Sequence, residues 1–443
     1  MKIRAHSLQT SRRWRDQQGS ILIQVGVGLV VLMATLMFVA DYGLMWVARR
    51  QAQNAADAGA LAGAIAIAFD ADDRTPTGPA KTAAYHVALT NGIVGQQPNV
   101  TDPATSAIDI KFYSDDPTAF PATCADNSCV KVDVYRNQAR NNPIPAIFGA
   151  LVGVTNSGVR ATATAQSAVA DATDCLKPWA VVDKWAEHWP VDPGTWDDTS
   201  TYDKYYTSGG NKGQVNPAIT HPDVYIPPTL NDVGTGFHPY NPDGSYTSDY
   251  GRQLTLKAGN NNDFDYGSGW FMALDLADSS GGKDYKNNIM GCIGVTWKIG
   301  DSLPVQSNPG NMVGPTGQAV GGPNAHGNVD PHAIYNQDPT AYWDPTMNNG
   351  LGGVAGSAYP VSPRIVAVPL ASPDDIASAN NANSNGANVT IRITNIMGFF
   401  VEGLAPDGKS VVGRLVTIPG LKTSGTPAID PEAAFMHQIT LVR

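Results

Sequence analysis

The chain has 443 residues, of which 15% are charged, with 45 glycines, 32 prolines and a net formal charge of −10. That length leaves two or three domains room to bury cores without obligatory disulfides or metals. The acidic balance excludes a surface built to gather nucleic-acid phosphates, and an apolar content of 42% excludes global disorder.

The first predicted element is the apolar run from Ile21 to Ala40, ILIQVGVGLVVLMATLMFVA, which carries no charge. At about 1.5 Å per residue it matches a hydrocarbon core of roughly 30 Å, so one helix crosses the lipid bilayer. Lys2, Arg4, Arg12, Arg13 and Arg15 precede it against Asp16 alone, while Arg49 and Arg50 follow at a distance. This bias predicts a cytoplasmic basic tail over 1–18 and a body on the far side of an inner, or cell, membrane, periplasmic or extracellular. Trp14, Tyr42 and Trp46 suit the two interfaces. A cleaved secretory leader is the competing reading, and the length of the run and the bulk of Phe38 before a cut at Ala40 argue against it. A buried helix of a soluble protein is a third, opposed by the uneven charges.

No proline interrupts residues 41–68, and alanine dominates them, so the helix is predicted to continue to about residue 70. Ala52, Ala56, Gly59 and Gly63, with Ala55, Ala60 and Ala64 beside them, recur three and four positions apart. They form a smooth stripe for close helix packing, either on a partner or on the chain's own domain.

Gly19, Asp41, Arg49 and Arg50, and every position but Gly59 from Gln53 to Ala64 in QNAADAGALAGA, resemble the Tad-type anchor of TadE/TadG-like proteins of the Flp pilus system. Looser likeness extends to PAIFGAL (145–151), VRATATA (159–165), CLKPWAV (175–181), GWFMALDL (269–276) and RIVAVP (364–369). The resemblance implies an inner-membrane protein with an external domain, associated with assembly of a pilus or secretion apparatus, and it implies no enzyme. Two features depart from the pattern. Gln24 stands where a processed pseudopilin has glutamate, which removes a partner-seeking carboxylate from the lipid and argues against cleavage between Gly19 and Ser20. Asp275 to Ser280, DLADSS, has the wrong spacing for a metal-dependent adhesion loop.

Over 71–173 the pattern predicts a small α+β domain: a helix at Lys81–Leu89, strands at Ile108–Phe112 and Val130–Val134, a short helix at Ile144–Leu151 and an alternating strand at Val159–Ala168. A long helix before a small sheet is pilin-like in architecture only. Residues 174–443 read as a glycine-rich β or α/β domain with strands at Gln253–Leu256, Trp270–Leu274, Ile365–Val368, Val389–Ile393 and Val411–Ile418. Met397–Val401 is predicted core, and Asp301–Ser357 is predicted surface loop. The expected class is therefore α+β behind a single transmembrane helix with a long helical extension.

Cys124, Cys129, Cys175 and Cys292 all follow the span, and an even number in an external body suggests structural disulfides. Three pairings are open, the simplest being Cys124 with Cys129 and Cys175 with Cys292. Their spacings do not suit zinc. His326, Asp330 and His332 in HGNVDPH are ligand types in a turn-rich loop, and Asp263 and Asp265 in NNNDFDYG faintly suggest the start of a calcium loop without its later glutamate. No G-x-S-x-G, H-E-x-x-H or phosphate-binding glycine loop occurs, so no catalytic residue, metal or cofactor is expected.

Trp179, Trp185, Trp189 and Trp196, with Tyr202, Tyr205 and Tyr206, are dense enough to make a partner surface for protein or glycan, or else to cover the core. The sequence thus predicts a membrane-anchored scaffold of a pilus or secretion machine, with the lipid bilayer and other assembly proteins or its own copies as partners. A minor pseudopilin and an adhesive binding protein are the alternatives.

Overall fold

The computed structural model describes residues 13–69, 78–99, 109–121, 124, 128–242, 245–259, 264–276, 281–306, 312–359, 361–383, 389–423 and 429–442. The basic residues before 13, Asp263 and the end of DLADSS lie outside them. Two compact units are present: Met1–Ala62 with Lys81–Ala165 and Leu441–Arg443, and Gly63–Ala80 with Gln166–Thr440. The boundary expected at 173/174 falls inside the second unit, because the chain passes from one unit to the other within a continuous strand, Val159–Val169.

The spine of the first unit is α1, Arg13–Phe69, an uninterrupted helix whose residues from Gly63 onward are counted with the second unit. Between residues 21 and 40 every side chain except Met37 and Ala40 is exposed, although the run is apolar. Beyond it the same helix changes environment, and Ala48, Ala52, Ala55, Ala56 and Ala60 are fully buried. A second helix, α2 (Pro79–Thr90), begins with proline, whose missing N–H costs nothing in a first turn. It approaches α1 at Gly59, where an added Cβ would stand 2.9 Å from the Ala84 carbonyl oxygen and 2.9 Å from the Ala88 Cβ. Only a residue without a side chain permits that approach.

Against this pair lie β1 (Ile110–Lys111) and β2 (Cys129–Arg136), antiparallel with Ile110 opposite Val132, and β5 (Val159–Val169) next to β2. Alternate residues of β5 from Val159 to Ala165 are buried, as a half-covered strand requires. The predicted helix at 144–151 is instead a hairpin of β3 (Ile144–Pro145) and β4 (Asn156–Ser157) with a 3-10 turn at Gly149–Val152. Pro143 and Pro145 explain the difference, since each holds the residue before it out of the α region. Cys124 and Cys129 are joined by a disulfide at the start of β2.

The second unit is built on a closed six-stranded barrel, β6 (Trp179–Val182), β7 (Gln253–Ala258), β8 (Trp270–Ala273), β9 (Ile365–Ala371), β10 (Asn395–Leu404) and β11 (Val411–Val416). In space they run β9–β10–β11–β7–β8–β6, and parallel pairing of Leu370 with Val181 closes the ring. Strands β6, β8, β9 and β10 are near-continuous apolar runs buried on both faces, whereas β7 and β11 alternate buried with less buried residues. Trp179, Val181, Met397, Phe399 and Val401 feed one buried cluster, whereas Ala180, Val182, Ile396 and Phe400 feed another. Gly413 sits where a Cβ would be 2.3 Å from the Phe400 carbonyl oxygen, so the facing strand can come close as the sheet curls.

Residues 301–357, expected as surface loop, hold regular elements. Helix α4 (Val313–Val320) packs Ala319 and Val320 with Tyr285 and Ile289 of α3 (Gly282–Met290) into the Trp179 cluster. A short antiparallel pair, Tyr342–Asp344 with Gly353–Ala355, follows. Glycine and proline there punctuate short elements whose burial comes from the barrel rather than from their own periodicity. Buried Arg364 donates to the backbone oxygens of Asp338, Ala341, Val401 and Glu402, tying this segment to β10. A second disulfide joins Cys175 to Cys292.

Candidate functional site

Asp41 is the first charged residue after the apolar run. Its Oδ1 accepts a hydrogen bond from the Ile147 N–H at 2.9 Å, its Oδ2 one from the Gly149 N–H at 2.6 Å, and the Phe148 N–H reaches both oxygens at 3.2–3.3 Å. These N–H groups begin the turn Gly149–Val152 and have no partner within it. The carboxylate therefore caps that turn from another element, as a side-chain oxygen caps a helix start. Negative charge at the positive end of the turn adds to the effect.

Farther along α1 the helix stays engaged with its own unit. Gln51 Oε1 accepts from the Val94 N–H at 2.8 Å, and Gln53 Nε2 donates to Asp57 Oδ1 at 2.7 Å and to the Thr162 carbonyl at 3.2 Å. Of the predicted packing positions, Ala52, Ala56 and Gly59 are buried within the first unit, and Gly63 is buried in the second. Of the span limits, Ile21 is exposed and Ala40 half-buried. Tyr42, Met45, Trp46, Arg49, Gly158 and Arg160 line a shallow groove, with the Arg50 guanidinium 4.1 Å above the Trp46 ring.

Of the four tryptophans read as a partner surface or as core cover, Trp179 and Trp185 are core, and Trp189 and Trp196 are half-buried. Trp179 and Trp185 are 0% and 2% exposed, and Trp196 packs edge-on against Trp185 and Phe237 with centroids 5.9 and 5.3 Å away. Rings of this size recover most by leaving water altogether, and the glycine-rich barrel offers them space. Trp189 is half-buried, its N–H held by Asp223 at 3.2 Å.

Around these rings Glu187, Asp203 and Asp223 bring carboxylate oxygens within 4.8 Å of one another, a grouping the sequence hid because the residues lie on separate loops. Burial pushes Glu187 up to about 7, reinforced by the charge of Asp223, and burial likewise raises Asp203 and Asp223. An all-oxygen set suits a hard cation such as calcium. Asp223, however, already accepts from the N–H groups of His188 at 2.7 Å, Trp189, and Asp203 at 2.7 Å, so its oxygens clamp three strands of loop together. His326, Asp330 and His332 form no ligand group among the described residues; Asp330 instead accepts from Lys286 Nζ at 2.8 Å and the His332 N–H at 3.0 Å. Asp265 is exposed.

Residues 19–66 match a family model described as putative Flp pilus-assembly TadE/G-like. The match ends where α1 ends within a few residues, and it includes Asp41, Gln51, Gln53 and the buried alanines. No curated protein and no solved structure is similar to the chain.

Proposed function

We propose that this chain, whose residues 19–66 form a TadE/G-like segment, is a scaffold of a Flp/Tad-type pilus or secretion apparatus, fixed in the inner membrane by one crossing helix. The observation that carries the reading is the change of environment along α1: an apolar run exposed at every position from 21 to 39 but Met37, then alanines buried in the chain's own unit from 48 to 60. A helix with those two halves suits a permanent tether that holds a folded body at the bilayer. The body is placed across the membrane from the basic amino terminus, in a periplasmic or extracellular space. Two disulfides favour that oxidising side, and so does the distribution of Lys and Arg around the span. Its work is binding and positioning of other assembly proteins rather than catalysis.

The test is the mature amino-terminal sequence of membrane-extracted protein, combined with protease access from each face. An intact end, and a body digested only from the periplasmic face, supports the scaffold. A chain that begins at Ser20 and copurifies within pili makes it a minor pseudopilin instead.

A further inference from the structure

We propose that the hairpin Ile144–Ser157 is a second membrane contact of the first unit, seated in the lipid interface beside the crossing helix on the body's side. The inference rests on the reading that residues 21–40 cross the bilayer. Asp41 follows that run directly, so its carboxylate lies at the boundary between hydrocarbon and headgroups. Its bonds to the N–H groups of Ile147, Phe148 and Gly149 hold the tip of the hairpin at that same height.

The hairpin is dressed for that place. Ile147 is 59% exposed and Val154 52%, and on the adjoining helix Tyr42 is 62% and Trp46 52% exposed. Exposed aliphatic side chains beside tyrosine and tryptophan are the composition of a membrane interface, where aromatic rings settle at headgroup level. Arg49 and Arg50 follow on the helix, Arg50 over the Trp46 ring, and Arg160 lines the same groove with its guanidinium paired to Asp133 at 3.0 Å, so positive charge borders the patch where anionic headgroups would lie.

Non-helical backbone enters a lipid interface at a cost unless its polar groups are paired. Here the pairing is internal: Asp41 takes three N–H groups, Ala146 N–H donates to Thr155 at 3.1 Å, Gly153 to Ala150 at 3.3 Å and Val154 to Gly149 at 2.9 Å. The Asp41 carboxylate thus both sets the depth of the hairpin and removes the penalty for placing it there.

The test uses the full chain, disulfides intact, in vesicles of mixed phosphatidylcholine and phosphatidylglycerol. Nitroxide labels are placed singly through Ile147→Cys, Val154→Cys, Leu29→Cys and Thr82→Cys, all at exposed positions. Thr82 lies on α2, which packs at Gly59, roughly 27 Å of helix beyond Asp41, and serves as the aqueous reference. Collisions with a water-soluble nickel chelate are expected to be several-fold fewer at 147 and 154 than at 82, while collisions with oxygen rise. Labels at 147 and 154 that match the one at 82, with the label at 29 still shielded from nickel, overturn the hairpin contact and leave the crossing helix standing. A label at 29 open to nickel overturns the crossing itself. Shielding of 147 and 154 from nickel and oxygen alike marks a protein surface over the hairpin and overturns the assignment to lipid.

Discussion

The carboxylate of Asp41 accepts a 2.6 Å hydrogen bond from the backbone N–H of Gly149, 108 residues away in sequence. Through that contact a loop of the folded body is registered against the end of the apolar helix, and several consequences can be measured.

Replacing Asp41 with alanine removes both acceptors and leaves the Ile147, Phe148 and Gly149 N–H groups without their side-chain partner. Amide hydrogen exchange at 147–149 is expected to accelerate, while Asp41→Asn, which keeps one neutral acceptor, falls between. Unchanged protection at these amides in the alanine variant contradicts the capping role.

At Gly59 a methyl group meets the Ala84 carbonyl and the Ala88 Cβ, both at 2.9 Å, and the first of these is backbone that cannot rotate away. Gly59→Ala is expected to destabilise the isolated chain by about 1–3 kcal/mol, the usual cost of overpacking, and Gly59→Val by more. Chemical denaturation of the detergent-solubilised protein measures it. Variants as stable as the parent mean that α2 does not hold this stripe.

Glu187 titrates near 7 in the folded protein because burial and the Asp223 charge oppose its ionisation, against 4.5 for an ordinary glutamate. A folded value above the unfolded one means that the folded state binds more protons in between, so stability falls as pH rises from about 4.5 to about 7. Glu187→Gln is expected to flatten that slope in denaturation midpoints taken across the window. Buried Asp183, raised to about 6 chiefly by burial, leaves a residual slope of the same sign. A Glu187→Gln profile as steep as the parent's rules out this carboxyl as a source.

The two disulfides close loops of very different length, with sequence separations of 5 and 117. By loss of chain entropy in the unfolded state, the Cys175–Cys292 bond is expected to contribute about 5 kcal/mol and the Cys124–Cys129 bond about 2 kcal/mol. Paired serine substitutions, compared by denaturation with the thiols of the remaining pair kept oxidised, measure the order. Equal losses contradict it.

Much of the first unit was legible because local sequence decided it. The uncharged run Ile21–Ala40, the absence of proline up to Phe69 and the alternation in VRATATA each fix an element through short-range effects: helix propensity, transfer into lipid and strand periodicity. Of the three cysteine pairings open in the sequence, the simplest, between near neighbours Cys124 and Cys129 and between Cys175 and Cys292, is the one formed. Asp41 and PAIFGAL were both visible as family-like features, but nothing in either shows that one carboxylate holds three N–H groups of the other.

Tertiary structure alone decided what depends on residues far apart. The sequence leaves the stripe Ala52, Ala56, Gly59 and Gly63 open between a partner and the chain's own domain, and only the fold brings Ala84 and Ala88 of α2 alongside Gly59. Ring closure rests on a parallel pairing between Val181 and Leu370 that no local pattern encodes; Trp179 on the closing strand is core, and Trp185 is buried against Trp196 and Tyr202 of the loop that follows. The carboxylates of Glu187, Asp203 and Asp223 likewise meet only once their loops are folded. Propensity and transfer free energy act over a few residues and can be read in order along the chain, whereas burial is a property of whatever the fold brings alongside.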